Sequence, residues 1–315
     1  MSITAKESSA TEPGADGPRG VGPKSGRRAL RPGDRATEGI TLNVFSHGFL
    51  ALWAVLIVLP LLWLVLSSFK TDAQIGGSAL SWPTNWTFDV FVRAWDKGIG
   101  DYFTNTVIVL AFSVPLTMLF GSMAAYVLAR YEFPGNRFLY FFFVGGAMFP
   151  VFLALVPLYF MVERFGMLNT YQGLILVYIA YSMPFTVFFM HAFFRTLPTA
   201  VHEAAVIDGA SHTRAFFQVM LPMAKPGLLS VGIFNALGQW NQYILPVVLM
   251  QPRDNSDPER YLLTQGLVQL QQQQGYASDL PVLFAGVTIA MIPMLVVYLS
   301  FQRQVQSGLT AGTLK

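Results

Sequence analysis

Long apolar stretches separated by short polar segments make up most of the chain from about residue 46 onward. Six of them are long enough to cross ~30 Å of hydrocarbon as helices that rise ~1.5 Å per residue. The pattern therefore predicts an all-α integral membrane protein with six transmembrane helices. The predicted spans lie near 46–69, 103–129, 138–161, 172–194, 226–250 and 281–301.

Prolines interrupt two of these stretches, with Pro150 and Pro157 in the third and Pro184 in the fourth. Membrane helices tolerate proline where neighbouring groups satisfy the carbonyls that it frees. We therefore expect kinks at these positions rather than breaks.

The first 40 residues have a different composition, rich in Gly, Pro, Ser and charged residues. Such a segment buries too little apolar surface to offset the entropy lost on ordering. The predicted organisation is a disordered tail over 1–40, followed by one six-helix membrane domain over 41–315.

The distribution of Lys and Arg between alternate loops predicts the orientation. The N-terminal tail, the 130–137 loop, the 195–225 loop and the C-terminal tail together hold 14 of the 20 basic residues. Basic residues are enriched on the cytoplasmic side of a membrane protein. We therefore expect both termini in the cytoplasm.

Composition agrees with a membrane protein, since 53% of residues are hydrophobic and 12% are charged, against roughly 25% charged in soluble domains. No Lys- or Arg-rich run lies on a helical face, so nucleic-acid binding has no support and lipid is the expected surrounding. The sequence contains no Cys, which excludes disulfides, thiolate metal sites and a cysteine nucleophile.

The six predicted spans contain no Asp, Glu, Lys or Arg. Carriers driven by protons or sodium usually bury such residues in their spans, so the energy for uphill transport is expected to come from a partner. No metal-ligand spacing, catalytic motif or credible nucleotide-binding loop is present. We predict no catalytic residue, metal or cofactor in this chain. The alternative is a self-contained secondary carrier or channel for a small polar solute, which buried charges or an inverted repeat would have favoured.

The 195–225 loop carries the most specific signal. Residues 199–208 favour a helix, and Gly209 is suited to the positive φ of a helix C-terminus. Ser211 is a candidate N-cap for a second helical segment that runs to Leu221, and Pro222 follows it. The predicted structure is a helix, a sharp turn and a second helix.

The spacing of this loop resembles the EAA loop of binding-protein-dependent ABC importer permeases. The Gln239–Asn241 cluster with Pro246, and residues 308–312, resemble the maltose-type carbohydrate permeases within that family. One departure is the presence of Thr199 and His202 where the family more often has an acidic residue. The residues that match the loop pattern are Glu203, Ala204, Ala205, Asp208, Gly209, Ala210, Phe216, Leu221 and Pro222.

The resemblance implies the fold of a type I ABC importer permease in the inner membrane of a bacterial cell, with a coupling helix in the 199–222 segment. That helix would dock on a separate ATPase dimer, which would hold the ATP and Mg²⁺. The other implied partners are a second permease subunit, forming a heterodimer, and an extracytoplasmic solute-binding protein. The implied cargo is a sugar or oligosaccharide, with amino sugars and chitin fragments as candidates.

The fifth predicted span contains polar and aromatic residues suited to a translocation path, since amides bind hydroxyls and rings cover the C–H face of a sugar. Amides in a membrane core also hold helices together, and both interpretations remain open. The polar 251–280 loop is expected outside, either touching the binding protein or simply solvated. The candidate path residues are Asn235, Gln239, Trp240, Asn241 and Tyr243.

Overall fold

The computed structural model describes the backbone of residues 32–78, 80–84, 86–252, 259–274 and 279–311. All regular structure in these ranges is helical. The first helices are α1 (Pro32–Ser67), α2 (Asp72–Gly77), α3 (Asp89–Ala94), α4 (Gly100–Arg130), α5 (Asn136–Met148), α6 (Val151–Arg164) and α7 (Tyr171–Thr196). They are followed by α8 (Thr199–Ile207), α9 (His212–Arg214), α10 (Leu221–Met223), α11 (Lys225–Trp240), α12 (Ile244–Leu249), α13 (Leu263–Gln274) and α14 (Leu280–Ala311). Two π-helical segments, Trp95–Ile99 and Ala215–Met220, join α3 to α4 and α9 to α10.

The chain divides into two units, Met1–Leu59 and Pro60–Lys315. The described part of the first unit is the portion of α1 that ends at Leu59, and its described side chains, from Asn43 onward, are exposed and mostly apolar. The second unit contains the remaining helices and the buried core.

Four helical segments in the described residues are long and apolar enough to cross a membrane. Two further pairs of helices reach that length only together, and each pair is bent, by 101° between α5 and α6 and by 79° between His212–Met223 and α11. The structure therefore has four candidate spans, or up to six if each bent pair is one span. The four are Asn43–Ser67, Asp89–Arg130, Tyr171–Thr196 and Leu280–Gln304.

The expected kink at Pro150 is wrong, because the third predicted span is broken there. Phe149 has extended backbone angles and Pro150 is the residue before α6. A proline disfavours the helical conformation of the residue before it, so α5 ends at Met148. Pro157 and Pro184 lie inside α6 and α7, as expected.

The predicted fifth span, 226–250, is also not one helix. Helix α11 ends at Trp240, and the chain turns before the short α12. Pro246 has no N–H, so it cannot bond to the carbonyl of Gln242 as a continuous helix would require. The hydroxyl of Thr264 donates to that carbonyl instead, at 2.8 Å. A partner from elsewhere in the chain thus stabilises the break.

Two further predictions need correction. The tail predicted to be disordered over 1–40 is helical over 32–40, which belong to α1, while residues 1–31 lie outside the described residues. The polar 251–280 segment contains α13, whose Leu263 and Leu270 are buried. Its backbone is held by α4, since Thr106 Oγ1 accepts from the N–H of Leu263 at 2.8 Å.

Buried side chains form three clusters along the second unit. One joins the start of α4 to α13 and α14 around Tyr102, and one joins the middle of α4 to α7 and α12 around Tyr178. The third joins the end of α4 to α7 and to the 215–220 segment. This third cluster attaches the 195–225 loop to two long helices, and its members include Tyr126, Phe194, Phe216 and Met220.

Candidate functional site

The first half of the 195–225 loop is α8, closed by a Schellman motif. The N–H of Ala210 donates to the carbonyl of Ala205 at 2.9 Å, and the N–H of Gly209 donates to the carbonyl of Val206 at 3.0 Å. Gly209 has φ +82°, the left-handed conformation that this motif requires. The predicted turn at Gly209 is confirmed, and so is the helix before it.

The second half of the loop begins with a capped turn and is anchored by apolar side chains. Ser211 Oγ accepts from the N–H of Arg214 at 3.3 Å, which confirms the predicted N-cap. Phe216 is buried against the rings of Tyr126 and Phe194, with centroid distances of 5.1 and 6.4 Å. Phe216 therefore fixes the loop to α4 and α7 and offers no surface to a partner.

The outward face of α8 and of the turn carries most of the remaining predicted loop residues. Glu203, Ala204, Asp208 and Gly209 are exposed, and so is Pro222 further along, whereas Ala205, Ala210 and Leu221 are half-buried. Val206 and Ile207 share the exposed face, and the Ile207 side chain is 84% exposed. The motif match did not single out these two residues, although an apolar pair just before the turn glycine is visible in the sequence.

Two amides of α11 form hydrogen bonds to neighbouring helices. Asn235 Nδ2 donates to Thr186 Oγ1 of α7 at 2.9 Å, and Gln239 Nε2 donates to Ser182 Oγ, also of α7, at 3.1 Å. Gln239 Oε1 accepts from the hydroxyl of Ser113 on α4. Both amides are buried, and their hydrogen bonds join α11 to α4 and α7.

The other three candidate path residues lie at the end of α11 and face elsewhere. Trp240 is buried against Phe103 and donates from Nε1 to the carbonyl of Ala290 on α14. Asn241 is exposed and its side chain donates to the carbonyl of Leu237 within α11. Tyr243 is half-buried in the non-helical turn. The structure thus does not group the five residues into one site.

A cavity of about 950 Å³ lies between α6, α7 and α11. Asn235, Gln239 and Ser182 contribute to its wall, together with Gln242 from the turn after α11. Most of the remaining lining is apolar, including Phe149, Leu158, Met161, Tyr181 and Phe185. A few convergent amides in an apolar wall are typical of small-molecule sites, so this cavity is a candidate site for a small molecule.

Comparison with known proteins identifies the family. The model for "binding-protein-dependent transport system inner membrane component" matches residues 117–310, which include the whole of the 195–225 loop and the cavity helices α7 and α11. The chain belongs to this family. It is a multi-pass permease of the inner membrane and a non-catalytic component of a binding-protein-dependent ABC transport system. Such a system also contains an ATPase and a binding protein.

The permease is similar to characterised and solved relatives over most of its length. It is 48% identical to the diacetylchitobiose uptake system permease protein NgcG of Streptomyces coelicolor, over 91% of this chain and 92% of the relative. It is 32% identical to the trehalose transport system permease protein SugB of Mycobacterium tuberculosis, over 89% and 98%. A chain of a bacterial ABC transporter involved in alginate import shares its fold, with a TM-score of 0.73, 21% identity and coverage of 87% and 98%.

Four aromatic side chains join the permease's 195–225 loop to the end of α4, and we refer to Tyr126, Tyr131, His202 and His212 as the tyrosine–histidine cluster. The Tyr126 hydroxyl lies 3.1 Å from His202 Nδ1, and the Tyr131 hydroxyl lies 2.9 Å from His212 Nδ1. The two hydroxyls are 3.5 Å apart. From the sequence alone His202 stands out only as a departure from the family pattern, because its hydrogen-bond partner Tyr126 is 76 residues away in the chain.

Burial lowers the pKa of His202 below its usual value, and the positive charge of Arg130 and the nearby His212 lower it further. Glu203 opposes these effects. The neutral imidazole is therefore the favoured form within the cluster.

Proposed function

We propose that the permease is one of two transmembrane subunits of an importer for diacetylchitobiose or a closely related amino-sugar disaccharide. The observation that carries this proposal is the 48% identity to the diacetylchitobiose permease over 91% of this chain and 92% of that one. The likeness to permeases for other sugars is lower, although it also supports carbohydrate as the class of cargo.

The 195–225 loop would couple the permease to its ATPase. In support, α8 presents Glu203 and Asp208 beside the exposed apolar side chains of Val206 and Ile207. Exposed apolar residues rimmed by charges are typical of surfaces that bind another protein. The buried Phe216 would transmit the force, since it joins the loop to α4 and α7. The ATPase dimer would hold the ATP and Mg²⁺.

The proposal also includes the remaining partners of the permease, its orientation in the membrane and the path of the sugar. A second, non-identical permease would complete the membrane region, and an extracytoplasmic binding protein would deliver the sugar to the side that bears α13. Both termini would be cytoplasmic, as the 14 of 20 basic residues on that side support. The sugar would pass along the cavity, with Asn235, Gln239 and Gln242 in its wall.

Uptake in a strain that lacks the permease tests the cargo. Labelled diacetylchitobiose should enter cells that express the permease and should not enter cells without it, while trehalose uptake stays unchanged. A strain with an inactive ATPase serves as the control for coupling. Equal uptake of diacetylchitobiose with and without the permease would refute the proposed cargo, and uptake that needs no ATPase would favour a self-contained carrier.

A further inference from the structure

The tyrosine–histidine cluster connects both halves of the 195–225 loop to a single long helix. Tyr126 is near the end of α4 and Tyr131 is the residue after that helix. His202 is on α8 and His212 is on α9, so the two histidines lie on opposite sides of the Gly209 turn. A displacement of either half of the loop would therefore act on α4 through these side chains.

Ring contacts add to the hydrogen bonds. The imidazole of His202 meets the rings of Tyr126 and Tyr131 edge to face, with centroids 5.9 and 5.7 Å apart. The imidazole of His212 meets Tyr131 in the same way at 5.3 Å. Edge-to-face contacts depend on orientation, so the cluster resists rotation of the loop as well as separation from α4.

The number of hydrogen-bond donors in the cluster determines how its two imidazoles are protonated. Three contacts, His202–Tyr126, Tyr126–Tyr131 and Tyr131–His212, need three donated protons. The two hydroxyls supply two, so one of the two imidazoles must carry its proton on Nδ1 while the other accepts there. When His202 is protonated, its Nδ1 donates to the Tyr126 hydroxyl and its positive charge lies close to that of Arg130, which disfavours this form of the cluster.

We propose that Tyr126, Tyr131, His202 and His212 are positioning residues that hold α4 to the 195–225 loop and transmit the loop's movement to that helix. This inference rests on the proposed coupling function of the loop. It assigns a role to His202, which stands where the resembling family more often has an acidic residue.

Acid should weaken this connection. The groups that face His202 are Arg130 and Tyr126 from α4, Tyr131 after it, Glu203 from α8 and His212 from α9. The pKa of His202 is lowered in the folded protein. The neutral imidazole therefore contributes its full stabilisation of the cluster above the ordinary histidine pKa of ~6.5. This stabilisation is lost as the pH falls through the lowered pKa. Coupling should therefore decline as the pH falls below the ordinary histidine value of ~6.5.

The test uses the complete complex of both permeases, ATPase dimer and binding protein in vesicles, and measures ATP hydrolysis with and without loaded binding protein. Tyr131→Phe keeps the ring and removes the hydroxyl, and His202→Ala removes the imidazole. Each should bind the ATPase normally yet raise hydrolysis without binding protein about fivefold, which corresponds to ~1 kcal/mol from one lost hydrogen bond. Tyr159→Phe, in α6 away from the loop, is the matched control.

Two further variants separate positioning from simple loss of stability. His202→Asn retains a side-chain amide near the position of Nδ1 and should restore tight coupling relative to His202→Ala. The double variant His202→Asn/His212→Asn should lose the decline of coupling in acid. Normal coupling ratios in Tyr131→Phe and His202→Ala, or an unchanged acid response in the double variant, would overturn the inference. If the wild-type permease binds no ATPase, the proposed function itself fails, and the inference falls with it.

Discussion

The N–H of Ala210 donates to the carbonyl of Ala205 at 2.9 Å across Gly209. This bond reverses the chain direction at the end of α8 and depends on the positive φ of the glycine between the two alanines. The turn between the two halves of the 195–225 loop thus depends on a residue that can adopt positive φ.

Gly209→Val should impair transport more than Gly135→Val. Both glycines have positive φ, +82° and +89°, and a Cβ at either position meets nothing within 4 Å. The two substitutions therefore impose similar backbone strain, of order 1–3 kcal/mol, and differ in where it acts. Uptake and ATPase co-purification at matched membrane levels are the measurements, with Gln218→Ala as a mild control. Similar losses in both valine variants would mean that the Gly209 turn has no special role.

Glu203→Lys should weaken ATPase association without impairing membrane insertion. Glu203 is exposed on α8, so its removal disturbs no core packing, while reversal of its charge repels a basic partner. Glu163→Lys, at the end of α6 and also exposed, is the matched charge reversal. Co-purification of the ATPase with each variant is the measurement, and normal recovery with Glu203→Lys would show that this carboxylate is not part of the contact.

The local features of the loop could be predicted because their hydrogen bonds join residues close in sequence. A glycine after a helical segment and a serine before the next one are enough to predict the Gly209 turn and the Ser211 cap. The tyrosine–histidine cluster could not be predicted in this way, since its histidines lie 76 and 81 residues from their tyrosine partners.

Hydropathy identified the membrane-spanning regions but not where the helices stop. Residues 241–243 lie inside the predicted 226–250 span, and the hydroxyl that compensates for Pro246 comes from Thr264, in a different segment. Likewise, the Gln-rich composition of 263–274 favours a solvated loop, whereas Asn105 and Thr106 of α4 bind the backbone of Tyr261 and Leu263 at the start of that segment. In both places contacts distant in sequence decide the structure.

Gln239→Leu should lower the thermal stability of the purified permease. The substitution removes the bonds to Ser113 and Ser182 and leaves two buried hydroxyls without this partner. Hydrogen bonds between membrane helices average ~0.6 kcal/mol and reach ~1.7, so a small but measurable decrease in Tm is expected. Asn241→Leu, which removes an exposed amide that donates to Leu237 of α11, is the control. An equal Tm for Gln239→Leu and wild type would show that the amide does not hold these helices together.

Gly266→Ala should destabilise the packing of α13. A methyl group at this position would overlap the ring of Tyr102, which is buried in the first core cluster. Overpacking of this kind costs typically 1–3 kcal/mol. Gly145→Ala in α5, where a Cβ meets nothing within 4 Å, is the control, and thermal unfolding in detergent is the measurement. Unchanged stability of Gly266→Ala would contradict the docking of α13 on α4.

Reporter fusions test the orientation inferred from the basic residues. A reporter after Lys315 should be active in the cytoplasm, and one inserted within 253–258 should be active on the opposite side, because the loops of the former side hold most Lys and Arg. A fusion within 132–135 should match the C-terminal one. Identical results for the 253–258 and C-terminal fusions would exclude this topology.

The 101° bend between α5 and α6 has a consequence for the biogenesis of the permease. Helices of 13 and 14 residues are each only ~20 Å long, and neither alone crosses ~30 Å of hydrocarbon. If segments are released into the bilayer one at a time during insertion, α5 and α6 are each too short to remain there as a transmembrane helix. Helix α7 follows directly, and its Pro184 lies close to Gly146 of α5. We therefore expect the bent pair to be held in the bilayer in part by its packing against α7, which would make the order of translation part of how this permease acquires its topology.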